Sequence, residues 1–349
     1  MTQKMPTLQD VAQLAGVSTA TVSRTLSSPD QVSESTRKRV SQAVEKSGYR
    51  INRVARNLRT QKAHSVLVLL PDLANPFFSS ILEGISGNLS QRGYSMLIAS
   101  TKQVHASGDR LIDYLDDARA DGMIILDGGL SPEVVDTLDN VPRSKPILFA
   151  CEWIEGANFP SVRSENRKAT RTAIRYLHGL GHEKIAHVTG PTGNVLMHAR
   201  KDAFVGEMAK LELELRPEWL IPGDFSLNAG CRAAATWIDM KDRPTAVFCA
   251  SDLLAFGFIS ELSRNGFKVP QDVSVMGFDD IDFASQFIPP LTSMRQDRHR
   301  IGVTAATMLL ERLAATASID GDAHDNENAA IVPVTLIERE STAAPPKGS

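Results

Sequence analysis

No apolar run in this 349-residue chain approaches the ~20 residues that a membrane-crossing helix needs; Val66 to Leu70 is typical of the longest wholly aliphatic stretches. Behind Lys4 the N-terminus (Met-Thr-Gln-Lys-Met-Pro) carries no hydrophobic segment, so neither a secretory leader nor a membrane partner is expected. Cysteine is scarce. Cys151, Cys231 and Cys249 are odd in number and widely spaced, which excludes a disulfide or zinc framework and fits small buried side chains in a reducing cytoplasm. With 42% hydrophobic and 23% charged residues the composition is that of a soluble globular protein, and the length suits two or three domains.

Catalytic signatures are missing too. Gly190-Pro-Thr-Gly193 follows a strand candidate as a phosphate loop would, but no Lys-Ser/Thr pair comes after it. Gly179-Leu-Gly181 lacks the third glycine of a dinucleotide fingerprint, and there is no Gly-x-Ser-x-Gly elbow. His178, His182, His187 and His198 lie near one another without the carboxylate and cysteine partners of a metal site. No nucleophile is matched to a base, so neither an enzyme nor a bound cofactor or metal is expected.

What is present is a charge asymmetry. Residues 1–63 hold eleven Lys or Arg against four acids, a net +7, which leaves the remainder at −10. A small basic module on a large acidic body suits a nucleic-acid footprint at one end, although a solvated charged face would give the same sum. Local pattern decides between them.

The first 60 residues read as four short helices. Thr7-Leu-Gln-Asp10 is a capping box, Leu8, Val11, Ala12 and Ala15 form an apolar stripe, and Gly16 stands where the helix stops. Ser18 caps a second helix with Val22 and Leu26 inside. A third starts at Ser33 and ends at Gly48, and Asn52 to Leu58 is only two turns long and rich in Arg. From Val66 onward apolar strands alternate with amphipathic helices. Strands are expected near 66–70, 95–99, 122–126, 146–150, 185–189, 245–249 and 273–277, with a last one at 331–337. Intervening helices are expected near 78–91, 166–180, 199–209, 229–239 and 253–265, and a late one at 301–313. Such alternation implies parallel sheets buried on both faces, split into two doubly wound halves. Residues 314–330 read as a polar surface insertion and 341–349 as a frayed tail.

Ala12, Gly16 and Val22 have helix-turn-helix spacing, which by itself also fits an ordinary helical hairpin. The outer face tips the reading. Ser18, Thr21 and Ser23 are short hydroxyls suited to phosphate oxygens, while Thr19, Ala20 and Arg24 point where base edges would lie. Arg24 offers a two-pronged donor pair to guanine.

The run Thr7-Leu-Gln-Asp-Val-Ala-Gln-Leu-Ala-Gly-Val-Ser-Thr-Ala-Thr-Val-Ser-Arg24 resembles the N-terminal signature of the lactose-repressor family. Asn52-Arg-Val-Ala-Arg-Asn-Leu58 resembles the family's short fourth segment, and the remainder its sugar-binding-protein-like core, so the likeness covers almost the whole chain. It implies an all-α helix-turn-helix headpiece at 1–50, a hinge helix and linker at 51–63, and a two-lobed, periplasmic-binding-protein-like α/β core at 64–340. Within that core the first lobe is expected at about 64–162 plus 294–318 and the second at about 163–293 plus 329–340. The resemblance further places Thr7, Asn52, Arg53, Ala55 and Leu58 on DNA. Leu58 matches the leucine wedged into the minor groove, a role suited to an apolar side chain that unstacks a base step beside phosphate-neutralising Arg53, Arg56 and Arg59.

In the core a pocket is expected between the lobes, beyond the carboxyl ends of the strands. Phe78, Trp153 and Phe225 could sandwich a ring there, and Glu152, His198, Arg200 and Asp279 could hold polar groups. Each aromatic taken singly reads as core, and their shared position after strand ends is what groups them. Phe78, Arg200, Phe225 and Asp279 match effector positions of the family. Gly190-Pro191, Leu196-Met-His-Ala-Arg200, Glu152 before an aromatic, Asn75-Pro-Phe-Phe78 and Gly223-Asp-Phe225 resemble its nucleoside-responsive branch. That implies a nucleoside effector, cytidine first, with a free purine as the near alternative and a hexose as the farther one. Glu165-Asn166 and Gln296-Asp297 depart from the usual Asp-Asn and Gln-Pro.

The expectation is a cytoplasmic transcriptional repressor, nucleoid-associated when bound to DNA. Its partners would be a pseudopalindromic operator, a small-molecule effector, a second copy of itself and, by the same resemblance, a global activator protein at shared promoters. No tetramerising heptad is seen at the C-terminus, so a dimer is favoured. A solute-binding module without a DNA-binding role is the competing class, opposed by the missing leader and the basic headpiece.

Overall fold

The computed structural model describes residues 6–49, 62–102, 110–142, 144–315 and 329–346. These fall into two compact units, one ending at Lys62 and the other starting at Ala63.

In the first unit the capping box forms as the sequence implies. The Thr7 amide donates to Asp10 Oδ2 at 2.7 Å and the Asp10 amide donates to Thr7 Oγ1 at 3.3 Å, which starts α1 (Leu8–Ala15). Gly16 takes φ 63°, a left-handed turn that costs little without a Cβ, and Ser18 accepts from the Thr21 amide at 3.1 Å to start α2 (Thr19–Ser27). Ser33 caps α3 (Glu34–Ser47) in the same way. Val11, Ala12, Ala15, Val22, Val40 and Ala43 form the buried core, with Leu8, Val17, Leu26, Val44 and Tyr49 packed around it.

The second unit is two sheets of six strands each among the described residues. β1 (Ser65–Leu70), β2 (Ser95–Ser100), β3 (Gly122–Ile125), β4 (Ile147–Ala150), β5 (Ser161–Ser164) and a late strand β11 (Ala329–Val332) are all parallel, in the order β11-β5-β4-β3-β1-β2. β6 (Ile185–Val188), β7 (Leu220–Ile221), β8 (Ala246–Cys249), β9 (Ser274–Asp279), β10 (Thr292–Gln296) and β12 (Val334–Ile337) follow the order β12-β10-β9-β8-β6-β7, and only β12 runs antiparallel. The first sheet is flanked by α4 (Ser79–Gln91), α5 (Asp113–Asp116), α6 (Pro132–Asp139) and a long α11 (Arg298–Ala315), the second by α7 (Asn166–Gly179), α8 (Val195–Lys210), α9 (Leu227–Asp239) and α10 (Asp252–Arg264). β1 is buried from end to end, as a central parallel strand covered on both faces must be.

Three passages join the lobes, between β5 and α7, between β10 and α11, and between β11 and β12. They correct the expected lobe limits. β5 stays in the first sheet through Ser164, and β10 stays in the second through Gln296. β11 pairs with β5 and so belongs to the first lobe, where residues 329–340 had all been assigned to the second. The single strand expected at 331–337 breaks at Pro333, which has no amide for a ladder and stands where the chain changes sheets. Both departures from the family pattern lie at passages. Glu165 follows β5, and Asp297 accepts from the Arg300 amide at 3.0 Å, supplying α11 with a cap that proline could not.

The tail also differs from expectation, because its first residues are held. Ser341 is fully buried; its Oγ donates to the Val275 carbonyl at 2.6 Å and accepts from the Thr292 amide at 2.8 Å. The Ala343 amide donates to Ser274 Oγ at 3.0 Å, and the Ala343 carbonyl lies 2.8 Å from Nε2 of the buried His182.

Candidate functional site

On α2 the residues expected to meet DNA sort by exposure. Thr19, Ala20 and Arg24 are exposed, Thr21 and Ser23 are half-buried, and Val22 is fully buried beneath them. Thr19 and Ser23, and Ala20 and Arg24, are four residues apart and so share a face. Ser18 Oγ lies 2.9 Å from Thr21 Oγ1, so one of these hydroxyls donates to the other, which keeps its own proton for an outside acceptor. Thr7 is exposed, but its hydroxyl donates to Asp10 Oδ2 at 2.7 Å and is spent within the cap. Asn52, Arg53, Ala55 and Leu58 lie outside the described residues.

In the two-lobed unit the loops after the strands converge. Phe78 closes the turn that precedes α4 and is 6% exposed, its ring edge-to-face with Phe77 at 5.2 Å. Trp153 follows β4 and lies under the Arg163 guanidinium, 4.4 Å from ring centroid to cation centre. Phe225 is half-buried beside Gly190 and Met197; a Cβ on Gly190 would come within 2.9 Å of the Phe225 ring. All three aromatics belong to, or pack on, one apolar cluster that also holds Val195, Leu196 and Met197. Cys151, Phe225, Asp279 and Asp280 take φ of 67°, 66°, 118° and 52°, left-handed backbone that non-glycine residues adopt at a cost of order 1–3 kcal/mol each. Such strain gathers where loops are held for binding.

The polar groups form one electrostatic set. Glu152 Oε2 accepts from the Gly128 amide at 2.6 Å, and its Oε1 accepts from Asn194 Nδ2 at 2.9 Å, across from the first lobe to the second. Burial raises its carboxyl to about 7, against the pull of those two hydrogen bonds. Arg200 is 1% exposed: Nε donates to Asn166 Oδ1 at 2.9 Å, a terminal nitrogen donates to the Ala250 carbonyl at 2.5 Å, and the guanidinium lies 3.6 Å from the Phe278 ring centre. Burial lowers Arg200 to about 10, opposed by Asp279 and Glu152. Asp279 accepts from Gln296 Nε2 at 2.8 Å, and burial lifts it to about 6 while Arg200 pulls it down. Beside it Asp252, fully buried, accepts from Ser293 Oγ at 2.6 Å and from the Ile281 amide at 2.8 Å; burial and Asp279 hold its carboxyl well above the usual range.

Glu152, Arg200 and Asp279 are therefore brought together, with Phe78, Trp153 and Phe225 on one apolar cluster. His198 is not among them. The helix expected to start at Ala199 begins at Val195, which puts His198 in its first turns, exposed and about 200° round the axis from Arg200. Asn194, Asn166 and Gln296 join the set although none of them is among the expected effector contacts. Asn194 carried a legible signal, an Asn before an apolar helical stretch; its Oδ1 caps α8 by accepting from Leu196 and Met197 amides at 2.9 and 3.4 Å. Asn166 and Gln296 act through partners remote in sequence and had no local signal.

A cavity of about 700 Å³ opens where the chain passes between the lobes, lined among others by Ser80, Asp282, Gln296, Arg298, Pro333 and Arg339. None of the seven expected effector residues lines it; Gln296 and Asp280 connect it to Asp279. Among the described residues no group of three His, Cys, Asp or Glu is placed to hold a metal ion, and no helix is long and apolar enough to cross a membrane.

Known proteins resemble the chain in both units. Residues 7–52 match the bacterial regulatory proteins of the lacI family, and residues 174–342 match the periplasmic binding protein-like domain. The HTH-type transcriptional repressor CytR of Escherichia coli (strain K12) is 35% identical over 341 residues, 97% of each chain. The HTH-type transcriptional repressor PurR of Vibrio parahaemolyticus is 33% identical over 310 residues, 88% of this chain and 92% of the relative. Among solved structures, a lac repressor dimer bound to operator and the anti-inducer ONPF superposes with a TM-score of 0.82 at 28% identity, covering 98% of this chain and 100% of the other. The regulator CelR in complex with cellobiose gives 0.70 at 28% identity, covering 96% of this chain and 99% of the other.

Proposed function

The chain belongs to the lacI family of bacterial regulatory proteins, and from that premise we propose a homodimeric repressor whose hold on its operator is set by a nucleoside, cytidine first, bound between the lobes. As a member of that family it is a DNA-binding transcriptional repressor and not an enzyme. It would act in the cytoplasm, nucleoid-associated when on its operator, with a global activator protein as a partner at shared promoters. The α2 face of Thr19, Ala20 and Arg24 reads base edges, Ser18, Thr21 and Ser23 meet phosphates, and Asn52, Arg53, Ala55 and Leu58 engage the minor groove at the operator centre.

The observation that carries the nucleoside reading is Glu152. A carboxyl held at about 7 offers both an O–H donor and an acceptor near neutral pH, and it adjoins Trp153, which packs with Phe225 on the apolar cluster that holds Phe78. A base edge, which sets a donor beside an acceptor and offers a flat face for stacking, satisfies that combination. The 35% identity to CytR supports the same choice. A free purine is the second reading, favoured by the PurR relatives. Effector binding would bring the lobes together and alter the spacing of the two DNA-binding arms, with opposite signs for inducer and corepressor. Calorimetric titration with cytidine, adenosine, ribose, guanine and gluconate tests the reading. Heat with cytidine is expected; silence with both nucleosides and heat with a sugar or a free purine would refute it and leave the repressor intact.

A further inference from the structure

Arg298 is the first residue of α11, immediately beyond the second passage between the lobes. Its side chain is 7% exposed and reaches both lobes. One terminal nitrogen donates to the Phe77 carbonyl at 3.4 Å; the other donates to the Asp280 carbonyl at 3.4 Å and to Asp282 Oδ1 at 3.0 Å. Phe77 precedes Phe78, and Asp280 follows Asp279, so one guanidinium grips the backbone one residue away from an expected effector contact in each lobe.

On one side the grip cannot slip. α11 and α4 touch backbone to backbone: a Cβ on Gly302 would lie 2.1 Å from the Ile81 carbonyl oxygen, and one on Gly84 2.4 Å from that of His299. Arg298, Phe77 and Phe78 therefore move as one body with the first lobe. A change in lobe angle is therefore felt between Arg298 and the Asp280–Asp282 segment, as it is at the interlobe bond of Glu152 to Asn194. That segment starts in left-handed backbone, φ 118° at Asp279 and 52° at Asp280, and lines the cavity at the passage, so it has room to move. Asp280 is itself held by Arg295 Nε at 2.6 Å and by Arg339 at 2.7 Å, which leaves the Asp282 carboxylate, 89% exposed, as the least encumbered partner.

We propose that Arg298 is a positioning residue whose bond to Asp282 latches the two lobes at the angle seen here and carries effector-driven closure between the Phe78 and Asp279 walls. The coupling to DNA rests on the repressor reading above; the latch itself does not.

The test uses the full chain with Cys231→Ser and spin labels on Asp136→Cys in the first lobe and Lys210→Cys in the second, both exposed positions. Asp282→Asn removes the ion pair at a surface carboxylate and leaves the buried guanidinium its carbonyl partners, so the fold is retained. Without ligand, the interlobe distance distribution of Asp282→Asn should shift and broaden, and Asp282→Glu should restore the parent distribution. A distribution for Asp282→Asn that overlays the parent overturns the latch. In parallel, the ratio of operator affinities with and without cytidine should move toward one in Asp282→Asn. A shifted distribution with an unchanged ratio upholds the latch and removes lobe angle as the control on DNA.

Discussion

Glu152 of the first lobe accepts a 2.9 Å hydrogen bond from Asn194, the residue that caps the helix carrying Arg200. The cap, the buried cation and the carboxyl of the other lobe are thus one connected device. Asn194 spends its oxygen on the helix amides and its nitrogen on Glu152, so a shift of either lobe is felt at the root of α8.

Titration of Glu152 should be visible in stability. Its carboxyl is raised from 4.5 to about 7 in the folded chain. Between those values the folded state holds a proton that the unfolded state releases, so stability contributed by the neutral group is present below about pH 4.5 and is lost as pH rises through 7. The shift corresponds to roughly 3 kcal/mol. Glu152→Gln cannot ionise, so its stability relative to the parent should climb by about that amount from pH 4.5 to 7.5 in denaturant titrations. A constant difference across the range would show that Glu152 titrates as an ordinary surface carboxyl.

Arg200 is an anchor of the lobe as much as of any ligand. Arg200→Met keeps the stem but strands Asn166 Oδ1 and the Ala250 carbonyl and takes from Asp279 the stronger of its two cations, leaving Arg298. Removing one partner of such a buried set costs about 3–5 kcal/mol, so urea unfolding of the core should move to markedly lower concentration and ligand heat should vanish. Unfolding at the parent's midpoint would mean that the buried contacts contribute little.

On the DNA side, Arg24→Ala should cost ~1–3 kcal/mol of operator affinity and relax preference at one base pair in each half-site. Competition binding over single-base operator variants reads this directly. A uniform loss over all variants would assign Arg24 to phosphate.

The C-terminal strap makes a stability prediction. Ser341→Ala leaves the Thr292 amide and the Val275 carbonyl each short of a partner inside the second lobe, a loss of about 1–3 kcal/mol. Denaturant midpoints of the variant and parent settle it, and equal midpoints would show that water replaces the hydroxyl.

Much of this was legible in the chain. Caps at Thr7, Ser18 and Ser33, the glycine stop at Gly16, and apolar strands such as Val66 to Leu70 announced themselves through local chemistry. β10 did not, because Thr-Ser-Met-Arg-Gln is too polar to read as a buried strand. Its polarity is its role: Ser293 serves Asp252, Arg295 serves Asp280 and Gln296 serves Asp279, all partners remote in sequence. Ser341 is hidden in the same way, a small polar residue near the chain end whose burial depends on strands 49 to 66 residues earlier. His198 points away from Arg200 for a local reason: the helix starts four residues sooner than its apolar periodicity implies, and two residues of helix turn a side chain to the opposite side.

Fluorescence anisotropy on a labelled operator, selected from a random duplex pool with the full chain, tests the central claim most directly. The selected site should be pseudopalindromic, and cytidine should change its affinity by tenfold or more in the parent and not in Arg200→Met. A repressor that keeps the same operator affinity at saturating cytidine, while another small molecule shifts it, would contradict the account.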